Sequence, residues 1–235
     1  MTGRCSPPWP GGPEAGLVAV GVLRIAAHDP LTGAGTDTAS ARRTRAGRVL
    51  DLLESWLAGP SAGGALPREC LLAVLDGLAA RSAGLVVALH QGNTAAAKAR
   101  LGEASAAARQ TARAAGAARS PEPAALALVW LGIEAMAVRV PGPSSRSQYR
   151  PADRFTSRYD GFVRDDHLLD DTCALLLAIA DLTTDALTHL LDGDPDAVRG
   201  YLDRWGDQLL RGGSDAARWV PEHPGALIAG TDGVL

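Results

Sequence analysis

Residues 165–191 read DDHLLDDTCALLLAIADLTTDALTHLL. At ~100° per residue, Leu168, Leu175, Ile179, Leu182 and Ala186 share one helical face, and Leu169, Leu176 and Leu187 widen it. The spacing predicts the longest helix of the chain, from about residue 161 to 192. Its other edge carries His167, Asp171, Ala174, Ala178, Asp185 and His189. One apolar stripe and one polar edge make this a helix laid against other helices, which points to an all-α fold.

The rest of the chain repeats that period. Val49, Leu50, Leu53, Trp56 and Leu57 lie at three- and four-residue spacing in a helix from about residue 39, which Gly59-Pro60 ends. Pro67 suits the first turn of a helix reaching about Gln91. Gly92-Asn93 reads as a tight reversal, with Asn93 capping an Ala-rich helix over about 94–118. Ser120-Pro121-Glu122 caps another, over about 122–140, which stops at Pro141. Asp194-Pro195 starts the last, which ends at Gly212-Gly213. Pro141, Pro143 and Pro151 predict a loop of about twenty residues before the long helix. Residues 16–27 (GLVAVGVLRIAA) fit either a strand or a short buried helix. The fold expected is a five- to six-helix bundle over residues 39–213, with a partly disordered N-terminal arm (1–38) and a C-terminal tail (214–235).

Composition narrows the function. The 235 residues are 46% hydrophobic but only 4% aromatic, so Leu, Val and Ala must build the core. Net charge is −3, and Lys98 is the sole lysine among 23 basic residues. A mildly acidic chain without finger, RRM or helix-turn-helix signatures argues against nucleic-acid binding. The apolar run 16–27 is too short to span a bilayer and Arg24 interrupts it, so no membrane span is expected. Cys5, Cys70 and Cys173 are far apart and form no CxxC, which fits a reducing cytoplasm.

Three groups of residues could carry chemistry. The first is Asp165, Asp166, His167, Asp170 and Asp171, a candidate ligand set for a divalent metal, Mg²⁺ or Mn²⁺. Within it, His167 and Asp171 are one helical turn apart, so the carboxylate could orient the imidazole for acid–base work. Asp185 and His189 form a second such pair, about 27 Å away along one helix, so the pairs cannot share an ion in a monomer. Asp residues at a helix start are also favoured by the helix dipole alone. The second group is arginine: Arg146, Arg150, Arg154 and Arg158 recur every fourth residue, with Tyr149 and Tyr159 interleaved, and Arg164 follows. Arg150, Arg154, Arg158 and Arg164 are the candidate anion binders, or else they neutralise the acids that follow. The third is Glu134, the sole charge over residues 124–138. Held against apolar surface, such a carboxyl suits catalysis. Ferritin-like dimetal chemistry is disfavoured, because Glu-x-x-His is absent.

The segment DDHLLDD resembles the aspartate-rich Mg²⁺ motif of class I terpenoid synthases and prenyltransferases, with Asp165, Asp166 and Asp170 at the matching positions. The resemblance covers seven residues and implies ions that hold a substrate diphosphate. Thr184, Asp185, Thr188 and Asp192 keep the spacing of that family's second metal motif but change both of its ends. In the family the two motifs face each other across a cavity; here they fall on one predicted helix, about 20 Å apart.

Two functions follow as expectations. One is a metal- or anion-dependent enzyme acting on a small phosphorylated or carboxylated metabolite, with Glu134, His167 and Asp171 as catalytic candidates. The other is a non-catalytic helical binding or scaffold protein. Its partner or homo-oligomer surface would be the small-residue stripe at Ala174 and Ala178, or the basic stripe of Lys98, Arg109, Arg113 and Arg119.

Overall fold

Among the described residues, helical periodicity resolves into eight α-helices and no strand. The computed structural model describes residues 12–27, 38–59, 66–117, 119–138 and 149–211. The helices are α1 (Gly12–Ala27), α2 (Thr38–Ala58), α3 (Pro67–Leu89), α4 (Thr94–Ala114), α5 (Pro121–Val138), α6 (Tyr149–Phe162), α7 (Leu168–Leu190) and α8 (Pro195–Leu210). The all-α class holds. The helix count exceeds five to six because α1 and α6 form where an arm and a loop were expected.

α1 settles the ambiguity of residues 16–27 in favour of a helix. Ala15, Val18, Ala19, Val20, Val22, Leu23, Ala26 and Ala27 are all buried. A helix apolar on nearly every side has no polar stripe to reveal its period, so the sequence pattern alone left the choice open. The rest of the expected arm and the expected tail 214–235 lie outside the described residues.

α6 corrects the loop. Pro151 is its third residue, inside the first turn, where backbone N–H groups have no intrahelical partner to lose. Phe155 and Tyr159, one turn apart, are buried against the core. The long helix expected from residue 161 is also interrupted. Val163 is buried, Arg164 is extended, Asp165–His167 form one 3₁₀ turn, and α7 begins only at Leu168.

α3 and α7 form the middle of the bundle. α1 packs on one side of them and α5 on the other; α2 and α8 lie against α1, and α4 and α6 against α5. Arg68 at the start of α3 meets Asp165 before α7, and Ser82 later in α3 meets Thr183 later in α7, so the two helices run in the same direction. By length and hydropathy α3 could cross a membrane, but 83% of its apolar window is buried among its neighbours, as in a core helix. α5 approaches α3 closely at Gly132, where an added Cβ would stand 3.0 Å from Ala83 Cβ and 3.1 Å from the Ala79 carbonyl oxygen.

The buried face of α7 is rotated from the one its leucines predict. Leu168 and Leu182 are half-buried, while Thr172 and Thr183 have no exposed surface. Each threonine has a partner on another helix. The Tyr159 hydroxyl lies 2.9 Å from Thr172 Oγ1. Thr183 Oγ1 donates to the Ile179 carbonyl at 2.6 Å, which leaves Ser82 Oγ as donor to Thr183 Oγ1. Next to Ser82 on α3, Arg81 lies over the rings of Tyr201 and Trp205 in α8, at 5.3 and 4.8 Å from their centroids. The four-residue spacing of Tyr201 and Trp205 thus serves the core, where both are buried. Asn93 and Asp194 cap α4 and α8 as their sequence positions predict, by accepting from the amides of Ala96 and of Asp196 and Ala197.

Thr183→Val should lower unfolding stability by about 1–3 kcal/mol, because the Ser82 hydroxyl is left buried without its acceptor. Adding Ser82→Ala should recover part of that loss, since the orphaned group is then gone. Urea unfolding of the single and double variants checks this; a double variant as unstable as the sum of the singles contradicts it.

Candidate functional site

The acidic segment sits at the corner where α6 hands over to α7, and its members diverge. Asp165 is fully exposed and pairs with Arg68, whose guanidinium also bonds Asp160 at 2.8 Å. Asp171, in the first turn of α7, turns inward and keeps only 15% of its side-chain surface. It accepts from the Arg164 backbone N–H at 3.1 Å and from Arg164 Nε at 3.2 Å, and Arg119 approaches it to 3.5 Å. Asp171 therefore fixes the extended residue between the two helices. Burial of its carboxyl would by itself raise the pKa. The Arg164 side-chain and backbone bonds, with the charges of Arg164 and Arg119, outweigh it and hold the carboxyl below its ordinary value.

His167 stands between Asp166 and Asp170, all three exposed. Its Nε2 is 3.5 Å from Asp166 and its Nδ1 is 3.8 Å from Asp170. The two carboxylates thus address opposite nitrogens of one ring. Among the described residues, no three of His, Cys, Asp and Glu are grouped to hold a metal. The predicted pairing of His167 with Asp171 does not form, because the 3₁₀ turn changes the phase between them; Asp171 takes Arg164 instead. In the second predicted pair, His189 Nδ1 lies 2.8 Å from the Asp185 backbone oxygen, a bond within the helix and not one with the carboxylate.

Glu134 on α5 is half-buried and lies between two cations. Arg154 Nη1 of α6 is 2.8 Å from one carboxylate oxygen and Lys98 Nζ of α4 is 3.6 Å from the other. Both cations also lie over the Trp130 ring, at 5.7 and 4.8 Å from its centroid. This cluster ties three helices together, and Glu134 has its charge balanced there. Of the four candidate anion binders, Arg154 and Arg164 are engaged by Glu134 and Asp171, and Arg158 is exposed. Because α6 is helical, Arg154 and Arg158 do share a face; Arg146 and the Arg150 side chain lie outside the described residues.

The buried thiols offer no reactive centre of their own. Cys70 and Cys173 are free and buried, and burial pushes the Cys173 thiol up to about 12. Two features were not singled out in the sequence. Arg81, on an otherwise apolar stretch of α3, carries a guanidinium whose pKa burial lowers; its isolation among Leu, Ala and Val was the available signal. The other is a cleft of about 220 Å³ between the end of α1 and the start of α8, lined by Arg24, Ala27, Pro195, Val198, Arg199, Leu202 and Asp203. Its residues come from opposite ends of the chain, and no local spacing could have joined them.

Asp171→Asn should cost about 1 kcal/mol at pH 7, a modest figure because its arginine partners are largely exposed. The lowered pKa sets the sign of the pH dependence. Stability from Asp171 is complete above its unfolded pKa of about 3.9 and is lost as pH falls through the lower folded value. The gap between wild type and Asp171→Asn in urea unfolding should therefore close on acidification below about pH 4. A gap that persists unchanged to about pH 2 contradicts the assignment.

No family model matches the chain, and neither a curated protein nor a solved structure matches it.

Proposed function

We propose that the protein is a non-catalytic helical binding or scaffold protein, acting through contacts with a partner or with a second copy of itself. The observation that carries this reading is the state of Asp171. The one member of the acidic segment turned toward the core is committed to Arg164 and Arg119, while Asp165 pairs with Arg68 and Asp166 and Asp170 flank His167 on the exposed side. The segment most suggestive of chemistry is thereby explained as the joint between α6 and α7.

The surface that supports the reading is the outer half of α4. Only Ala97, Leu101 and Ser105 of that helix are buried, and none of residues 106–114 is. α4 packs on α5 along its buried edge, and its exposed outer half leaves small side chains where another helix can approach closely. Arg109 and Arg113 are exposed there and give the face a positive charge. The basic stripe read in the sequence is thus divided: Lys98 and Arg119 are occupied by Glu134 and Asp171, and the middle of the stripe is exposed. Ala178 packs against the core, which favours α4 over the α7 stripe as the contact surface.

The competing reading is a metal- or anion-dependent enzyme acting on a small phosphorylated or carboxylated metabolite, such as a diphosphate, with Asp165, Asp166, His167, Asp170 and Asp171 as metal ligands. Thermal unfolding with Mg²⁺, Mn²⁺ and Zn²⁺, each with and without diphosphate, separates the two. A binding protein should show no saturable metal-dependent shift, and Asp166→Ala and Asp170→Ala should stay within about 0.5 kcal/mol of wild type, as exposed substitutions do. Light scattering should show an assembly that Arg109→Glu with Arg113→Glu disrupts, or a partner complex that the same pair weakens. A metal-dependent stabilisation abolished by Asp166→Ala would overturn the proposal.

A further inference from the structure

The cleft between α1 and α8 has a division of chemistry that the joint and the α4 surface do not explain. Its floor is aliphatic: Ala27 from α1, with Pro195, Val198 and Leu202 from α8. Its rim carries Arg24, Arg199 and Asp203. Arg24 Nη2 bonds Asp203 Oδ1 at 2.5 Å, which leaves Oδ2 of the same carboxylate available at the rim. Arg199 pairs with Asp196 one turn earlier in α8, and that pair is exposed, with side-chain accessibilities of 58% and 80%. Such a surface pair is weak and exchanges readily for a better-placed carboxylate. The first free amides of α8 are already taken by the Asp194 side chain, so recognition at the rim falls to side chains. Charges of both signs therefore stand above an apolar pocket. The volume, about 220 Å³, exceeds the ~150 Å³ cavity that accepts a benzene ring, and so takes a ligand of roughly eight to ten heavy atoms.

We propose that this cleft binds a small aliphatic zwitterion of the α-amino-acid class, its side chain against Val198 and Leu202, its carboxylate on Arg199 and its ammonium on Asp203. A simple carboxylic acid would leave the second oxygen of Asp203 unused, Oδ1 being already paired with Arg24, and a simple amine would leave Arg199 on Asp196. A ligand carrying both charges satisfies both. The site stands apart from the α4 surface, so success or failure here leaves the binding-protein reading to its own test.

Calorimetric titration of the full chain with L-leucine tests the proposal. The comparison ligands are 4-methylpentanoate, which lacks the ammonium, 3-methylbutylamine, which lacks the carboxylate, and glycine, which lacks the side chain. L-leucine should bind saturably, and each truncated ligand should bind about tenfold more weakly or worse. Arg199→Ala and Asp203→Asn, both at exposed positions, should each weaken leucine binding about tenfold while the protein stays folded. Ala27→Leu should fill the cleft and remove binding. No saturable binding of leucine up to about 10 mM overturns the proposal. So does 4-methylpentanoate binding as tightly as leucine, or leucine binding that is indifferent to Arg199→Ala and Asp203→Asn.

Discussion

Ser82 and Thr183 share a hydroxyl bond within a core built mostly of Leu, Val and Ala, and the placement of α7 depends on it. Apolar packing alone tolerates sliding of one helix along another, because one leucine fills a groove much as the next does. A buried hydroxyl does not, since a shift of one residue leaves the Ser82 hydroxyl without water or partner, at about 1–3 kcal/mol, while Thr183 keeps only its bond to the Ile179 carbonyl. Thr172 adds a second such constraint about three turns earlier, with the Tyr159 hydroxyl of α6. The two bonds tie α7 to different helices, so one register satisfies both.

With α7 so fixed, the corner before it is determined. Tyr159 and Val163 are buried at the end of α6, and the chain must turn within a few residues to start α7 at Leu168. The turn is extended at Arg164 and 3₁₀ at Asp165–His167. Asp171 then reaches back to the Arg164 amide and guanidinium, while Arg68 from α3 and Arg119 from the approach to α5 close around the acids. The carboxylates that stand together in the sequence lie in three dimensions as two ion-paired groups, Asp165 and Asp171, and an exposed Asp166–His167–Asp170 group.

The helices bounded by local start and stop signals were legible in the sequence. α2, α3, α4, α5 and α8 begin and end close to their Pro, Gly, Asn and Asp signals, because those signals act locally. What escaped reading was set by distant contacts. Pro151 argued for a loop, yet it occupies a helical first turn whose core-facing Phe155 and Tyr159 pull the segment into order. The break at residues 163–167 carries no Pro or Gly and exists because Val163 buries while Arg164 is held by Asp171. The sequence did not mark Thr172 and Thr183 as interior, and only their partners on α6 and α3 make them so. At the candidate site, the sequence showed arginines that could neutralise the acids, but Arg68 and Arg119 were not foreseen as partners because they come from other helices. The rim of the α1–α8 cleft was invisible for the same reason.

The account turns on the acidic segment being a structural joint, and carboxyl-resolved NMR of Asp165, Asp166, Asp170 and Asp171 addresses it directly. Titrated with acid, the Asp171 carboxyl should protonate below its ordinary range, in step with Arg164 losing its bond. Titrated with Mg²⁺ at neutral pH, the four carboxyl resonances should show no saturable shift. A common Mg²⁺ saturation curve across Asp166, Asp170 and Asp171, with Asp171 released from Arg164, would contradict the account.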